Sequence, residues 1–328
     1  MLKAIWREWR APKLTPPEKR PDKPIAPTSD IQIFRGYEPE DLALFDQFSV
    51  SRRPRPGFFT DFLGGRTRIS SLYDAVRGLD GDVGGPPIPQ DFHAEAVEWI
   101  GLLKTVLTAT DRYVAMEWGA GWAPWLIAGG LAARSRGIRD IKLYGVEADP
   151  AHFEGMTQHF NDNDFRPQDH VLLQAAVGPS AGTARWPKEP DPRNAWGTRP
   201  VRVDGGKQAD QNYLHCRVEE FLDVDILAGT GLLRREPLWD MVHIDIQGWE
   251  GEVCRSCIDL LNERVKWVII GVHSRLLDAE LLTLFHGSGW QLEHEKPTRF
   301  TYIAEHKSFE AMTTIDGTQV WKNRKLTK

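Results

Sequence analysis

Residues 113–133 read YVAMEWGAGWAPWLIAGGLAA, and the reading of this stretch decides the fold. Tyr113, Val114, Ala115 and Met116 make an apolar run of strand length, Gly119 and Gly121 break it, and Pro124 stands where the first turn of a helix accepts a proline. Strand, glycine turn and helix in that order open a nucleotide-type α/β unit. A side chain at either glycine would hold the backbone away from a ligand and penalise a positive φ. The plainer alternative is a tight strand-to-helix turn that binds nothing.

Glu117 decides which ligand such a turn would take. In a dinucleotide fold the turn and the helix N-terminus receive a pyrophosphate, so a carboxylate two residues before the first glycine would face like charge. A cationic ligand reverses the sign. S-adenosylmethionine carries an ammonium and a sulfonium and no phosphate, so Glu117 suits its amino-acid end, with Gly119 and Gly121 allowing close approach. The third glycine of the dinucleotide fingerprint is absent, because Ala123 occupies its place.

The sequence after this stretch continues the same architecture. The helix is expected to run to Arg136, followed by a strand at 141–146 that ends in Glu147. A carboxylate there can accept two hydroxyl protons, as a ribose diol requires. Asp149-Pro150 then reads as N-cap and first turn of another helix. A third strand is expected at 170–177, a short helical piece at 218–222, a fourth strand at 239–246 and a helix to about 263. A fifth strand at 265–272 runs into His273, and a helix at 279–287 precedes strands at 290–294 and near 318–322. Late consecutive strands joined by a turn imply an antiparallel end to the sheet. The fold class is therefore α/β, a doubly wound seven-stranded Rossmann-like sheet with an N-terminal loop-rich and helical extension.

Before this domain, residues 91–108 return to helical spacing through Phe92, Ala96, Val97, Ile100, Leu103 and Leu107. Residues 29–90 are punctuated by glycine and proline, with short helices expected around 39–48 and 70–77. This segment reads as a lid or accessory segment whose arginines, Arg52, Arg53 and Arg55, could meet an anionic substrate. Residues 1–28 hold six prolines and seven Lys or Arg against three acids, a tail that cannot form a core. Within it Leu2, Ile5, Trp6 and Trp9 fall on one helical stripe, so residues 1–10 form a candidate contact for a membrane surface or partner, or else pack on the protein itself. Residues 181–213 are polar, contain Trp186 and Trp196, and read as an insertion or hairpin near the substrate side.

Composition bounds the function. A net charge of -5 argues against a nucleic-acid groove over the main body. Three cysteines offer no paired framework, which fits a reducing compartment, and the first ten residues lack the apolar core of a signal peptide, so a cytoplasmic location is expected. Cys254 and Cys257 share a helical face with Ile258 and Leu261 and read as buried, not as redox or zinc ligands.

The ordered set EWGAGWAP (117–124), YGVEADP (144–150), QAAVG (174–178), HIDIQGWEGE (243–252) and VIIGVHS (268–274) resembles the FkbM-type methyltransferases. That family is a branch of the class I, seven-stranded S-adenosylmethionine-dependent enzymes, and the likeness covers residues 91–294. Its most specific piece is I-D-x-x-G-x-E, here Ile244, Asp245, Gly248 and Glu250. The chain departs from the pattern at Ala123 and at Gln247, where many members carry an acid. The resemblance implies O-methylation, often of a sugar hydroxyl on a glycan or natural product. It places Glu117, Gly119 and Gly121 at the methionine end of the donor, Glu147 at its ribose, and Ala175, Ala176 and Val177 beside the adenine.

A sugar hydroxyl needs a base or a metal, because its own pKa lies far above neutral. Asp245 and His273, at the carboxyl ends of adjacent strands, lie on the edge where open α/β sheets bind ligands and are the expected catalytic pair. His243 lies on the same strand face as Asp245, so His243, Asp245 and His273 could ligate a divalent ion. The favoured reading has no metal: His243 is then a satisfied core histidine, and Asp245 caps the next turn. The rival function is an NAD-dependent oxidoreductase on a related fold, against which Glu117 argues, and a third is a methyltransferase-like module that binds without turnover.

Overall fold

The computed structural model describes residues 36–188, 191–200, 212–213, 216–217, 220–306 and 310–327. The tail 1–28 with its amphipathic decapeptide, residues 29–35 and residues 201–211 lie outside the described residues.

Alternation along the strands explains the sheet. In β1 (Arg112–Trp118), Tyr113 and Ala115 enter one hydrophobic core while Val114, Met116 and Trp118 enter a second. Strands buried on both faces belong in the middle of a sheet covered by helices on each side. That is their place here, among β2 (Asp140–Glu147), β3 (Val171–Gln174), β4 (Trp239–Ile244), β5 (Val265–Val272), β6 (Gln291–Lys296) and β7 (Gly317–Lys322). The order across the sheet is β3-β2-β1-β4-β5-β7-β6. The strands from β3 to β5 are parallel, and β7 enters antiparallel to both β5 and β6.

Helices α1 (Ala96–Leu107), α2 (Pro124–Ser135) and α3 (Pro150–Asp162) contribute to the first core. Helices α4 (Glu250–Arg264) and α5 (Arg275–Gly287) contribute to the second. Their starts are chemically marked. The Asp149 carboxylate accepts from the N–H groups of Ala151 and His152, and the Ser274 hydroxyl accepts from Leu277. Strand order reverses between β1 and β4, which opens a crevice at their carboxyl ends. Cys254 and Cys257 are buried on the inner face of α4 as expected, and burial pushes the Cys257 thiol up to about 12.

Three expectations need correction. The strand expected at 170–177 divides: Val171–Gln174 joins the main sheet, while Ala176–Gly178 pairs in parallel with Phe221–Ala228 in a second, three-stranded sheet. The helical piece expected at 218–222 is that strand Phe221–Ala228 in its described part, which also pairs antiparallel with Gly182–Pro187. Local spacing could not reveal it, because a strand is stabilised by a partner distant in sequence. Helix α5 begins at Arg275, four residues before its expected start, because Ser274 supplies the cap. The short helices near 39–48 and 70–77 are present, largely as 3₁₀ turns.

Candidate active site

A cavity of about 390 Å³ opens at the carboxyl ends of β1, β2 and β4. Its floor is the turn after β1, pinned on both sides. Gly119 and Ala120 donate to the Val146 carbonyl at 3.0 and 2.9 Å, and Asp245 N donates to the Trp118 carbonyl at 2.9 Å. Gly119 has φ +71°, and a Cβ added there would lie 1.8 Å from the Asp245 carbonyl oxygen. Glycine is therefore required by the close approach of two strand ends. Ala123, in place of a third glycine, still adopts φ 61° with its methyl fully buried, so the turn keeps its left-handed residue.

Glu117 lines this cavity and is 1% exposed. Its Oε2 accepts from Leu126 N in the first turn of α2 at 3.1 Å. Burial pushes its carboxyl well above the ordinary range, and the charges of Asp245 and Glu147 push in the same direction. Glu147 accepts from Gly121 N and Asp149 N, each at 2.7 Å, and burial raises its carboxyl as well. The residue expected at the ribose thus also ties the end of β2 to the glycine turn. Ala175, Ala176 and Val177 border the same cavity, at the point where the chain leaves the main sheet for the second one.

Asp245 lines the cavity, and His273 stands behind it. His273 Nε2 lies 3.2 Å from Asp245 Oδ1, and Nδ1 lies 3.1 Å from Glu250 Oε1. Burial would lower the imidazole, but these two carboxylates hold it well above its ordinary value. Burial would in turn raise Asp245, yet His273 and the Gln247 amide hold it below the ordinary carboxylate range. The next turn is capped by Glu250, not Asp245: its two oxygens accept from Ile246 N and Gly248 N, both at 2.9 Å.

His243 does not join His273, so the alternative ligand trio of His243, Asp245 and His273 does not form. Its ring packs on Trp125 at 5.3 Å, 4.0 Å from Glu117 Oε1, and neither ring nitrogen has a hydrogen-bond partner. It is therefore a buried histidine that is not satisfied, and burial lowers it to about 4. Among the described residues, the group that brings its ligand atoms within 4.8 Å of one another is Asp245, Glu250 and His273. Each nitrogen of His273 lies near a carboxylate, but Nδ1, 3.1 Å from Glu250 Oε1, makes no hydrogen bond, so a ring nitrogen remains unpartnered in this group. The close approach of His273 to Asp245 sets the charge of the carboxylate that lines the cavity.

No family model matches the chain. A protein of Jannaschia sp. (strain CCS1) named "Putative methyltransferase" is 31% identical over 271 residues, spanning 82% of this chain and 93% of that relative. The chain belongs to the methyltransferases. Solved structures that overlap it include precorrin-6Y C5,15-methyltransferase from Geobacter metallireducens GS-15, at 14% identity, covering 70% of this chain and 89% of that one with a TM-score of 0.39. The C-terminal domain of precorrin-6Y C5,15-methyltransferase from Rhodobacter capsulatus overlaps at 10% identity, 71% and 92% coverage and a TM-score of 0.36. Membership rests on the sequence relative, and with it the oxidoreductase alternative falls away.

The sequence reading missed much of this methyltransferase's cavity wall. Glu98 on α1 lines it, as do Phe92 and His93 just before that helix, and Tyr73 from the preceding segment. Burial, followed by the charges of Asp245, Asp91 and Asp316, pushes Glu98 up to about 8. Glu95 and Glu98 form a capping box, a signal legible in the sequence, but it marks only a helix start. From the expected insertion, residues 195–198 and Pro200 line the cavity, and Trp196 stacks on His152 at 4.0 Å with 6° between the rings. Arg52, Arg53 and Arg55 line a separate surface groove with Arg66 and Arg134.

Proposed function

We propose that this methyltransferase moves the methyl group of S-adenosylmethionine to a sugar hydroxyl on a glycan or natural product, as the FkbM-type resemblance implies. The observation that carries the reading is charge. Glu117, Glu147 and Asp245 share one cavity, burial raises the first two, and no Lys or Arg stands among its described lining residues. A pyrophosphate would add anions to that set, whereas a cationic donor relieves it. Glu117 with Gly119 and Gly121 would hold the amino-acid end, Glu147 the ribose hydroxyls, and Ala175, Ala176 and Val177 the adenine.

The bound donor supplies an electrophilic methyl, and the chain's own part is to align an acceptor oxygen and remove its proton. Asp245, kept ionised by His273, is the group placed to take that proton. His273 does not line the cavity and acts through Asp245 as a positioning residue.

Calorimetry with S-adenosylhomocysteine and NAD in parallel tests the donor. Binding of the first and not the second is expected; tight NAD binding with no response to S-adenosylhomocysteine would end the reading. Consumption of the donor when an acceptor is offered separates an enzyme from a module that only binds.

A further inference from the structure

We propose that the part of the cavity beyond the donor residues is a subsite for a positively charged acceptor, one that presents a protonated amine together with the hydroxyl to be methylated. The inference rests on the donor assignment above and deepens it. Three carboxylates converge there from three elements: Glu98 from α1, Asp245 from the end of β4, and Asp316 from the rim just before β7. Burial raises Glu98, and the charges of Asp245, Asp91 and Asp316 add to it; burial raises Asp316, His273 lowers it and Asp245 raises it again.

Two of the cavity's five carboxylates, Glu117 and Glu147, match the donor, whose ammonium, sulfonium and carboxylate sum to a single positive charge. Of the other three, Asp245 is balanced by His273. Glu98, pushed up to about 8, keeps its proton near neutral pH until a cation displaces it, and Asp316 has no Lys or Arg beside it among the described residues, so Glu98 and Asp316 are the acids left for a second cation. The nearby cations are already engaged. His273 stands behind Asp245 and is shared with Glu250, and the Arg199 guanidinium pairs with Glu310 and donates to the Gln247 carbonyl. Among the described residues no Lys or Arg pairs with Glu98 or Asp316.

The wall of the same cavity is aromatic. Tyr73, Phe92, Trp122, Trp125 and Trp196 line it, with Trp122 and Trp196 edge to face at 4.7 Å. Aromatic faces beside carboxylates attract ammonium groups through the ring quadrupole and also stack on the apolar faces of sugar rings. The same set repels phosphate, sulfate and carboxylate groups, because an anion would enter the cavity against like charge. An amino sugar meets both features, and an acidic sugar meets neither.

The test uses the full chain saturated with S-adenosylhomocysteine and three probes that differ only at the sixth carbon: 6-amino-6-deoxyglucose, glucose and glucuronate. Binding is read by calorimetry and by the fluorescence of the cavity tryptophans. The amine is expected to bind about tenfold tighter than glucose, the size of one partly desolvated cation–π or ion-pair contact, and glucuronate not to bind. Asp316→Asn, at an exposed position, should shrink that preference about threefold while S-adenosylhomocysteine affinity stays within about twofold. Glu98→Gln should do the same. Equal binding of the three probes, or preference for glucuronate, overturns the proposal while leaving the donor site intact. Loss of S-adenosylhomocysteine affinity in both variants also overturns it, by assigning the acids to the donor. Failure of the unaltered chain to bind S-adenosylhomocysteine overturns the donor assignment itself.

Discussion

The half of the cavity around Glu117 and Glu147 is built from backbone, whereas the half around Glu98 and Asp316 is built from side chains. In the first, two strand ends and a glycine turn close on one another: Gly121 N on Glu147, Gly119 and Ala120 on Val146, Asp245 N on Trp118. In the second, Tyr73, Glu98 and Asp316 bring side chains from three separate segments to one cavity. The backbone-built half should therefore be rigid and intolerant of change, and the side-chain-built half should be adjustable in specificity without loss of the fold.

Gly119→Ala attacks the rigid half most directly. Its methyl would overlap the Asp245 carbonyl at a left-handed backbone position, so either β4's end moves or the turn opens. A loss of roughly 3 kcal/mol or more in stability is expected, together with loss of S-adenosylhomocysteine binding, checked by thermal melting and calorimetry. A stable, binding-competent variant would mean that the turn is not the rigid element it is taken for.

Asp245→Asn tests the seam between the halves. Turnover should fall about 10²- to 10⁴-fold, the range for a general base, with donor affinity little changed. His273→Gln should cost less and should also move the acid limb of the pH–rate profile upward, because Asp245 loses the cation that lowers it. An unmoved profile would reduce His273 to packing.

Glu117→Ala should weaken S-adenosylhomocysteine by about 1.5–3 kcal/mol, the value of a charge-assisted hydrogen bond, as measured by calorimetry. An equal effect of Glu98→Ala on the same ligand would erase the division between the halves.

The smallest effect is expected from Glu98→Gln on stability. Glu98 titrates at about 8 in the folded chain, against an ordinary value of 4.5. Between those values the folded protein holds a proton that the unfolded chain has released, so this group's contribution falls as pH rises through the window. The glutamine variant should lose that dependence and melt a few degrees higher near pH 8, the shift that about 1 kcal/mol produces. Parallel melting curves of the two proteins from pH 5 to 8 would show that Glu98 is ionised throughout.

The sequence by itself determined the doubly wound sheet and the glycine turn, and it singled out Glu117, Gly119, Gly121, Glu147 and Asp245, which line one cavity. Each of these follows from a pattern local in the chain: an apolar run, a glycine break, an acid at a strand end. Only the tertiary structure decided that His273 and Glu250 flank Asp245 while His243 faces Glu117 instead, since neighbouring strand ends differ in where they aim a side chain. It alone divided the third strand between two sheets, because pairing partners lie far apart in sequence. It alone brought Glu98 and Asp316 to one cavity. A lone acid on a helix or before a strand carries no local mark of what it will face, and its meaning is set by the charges that folding places around it.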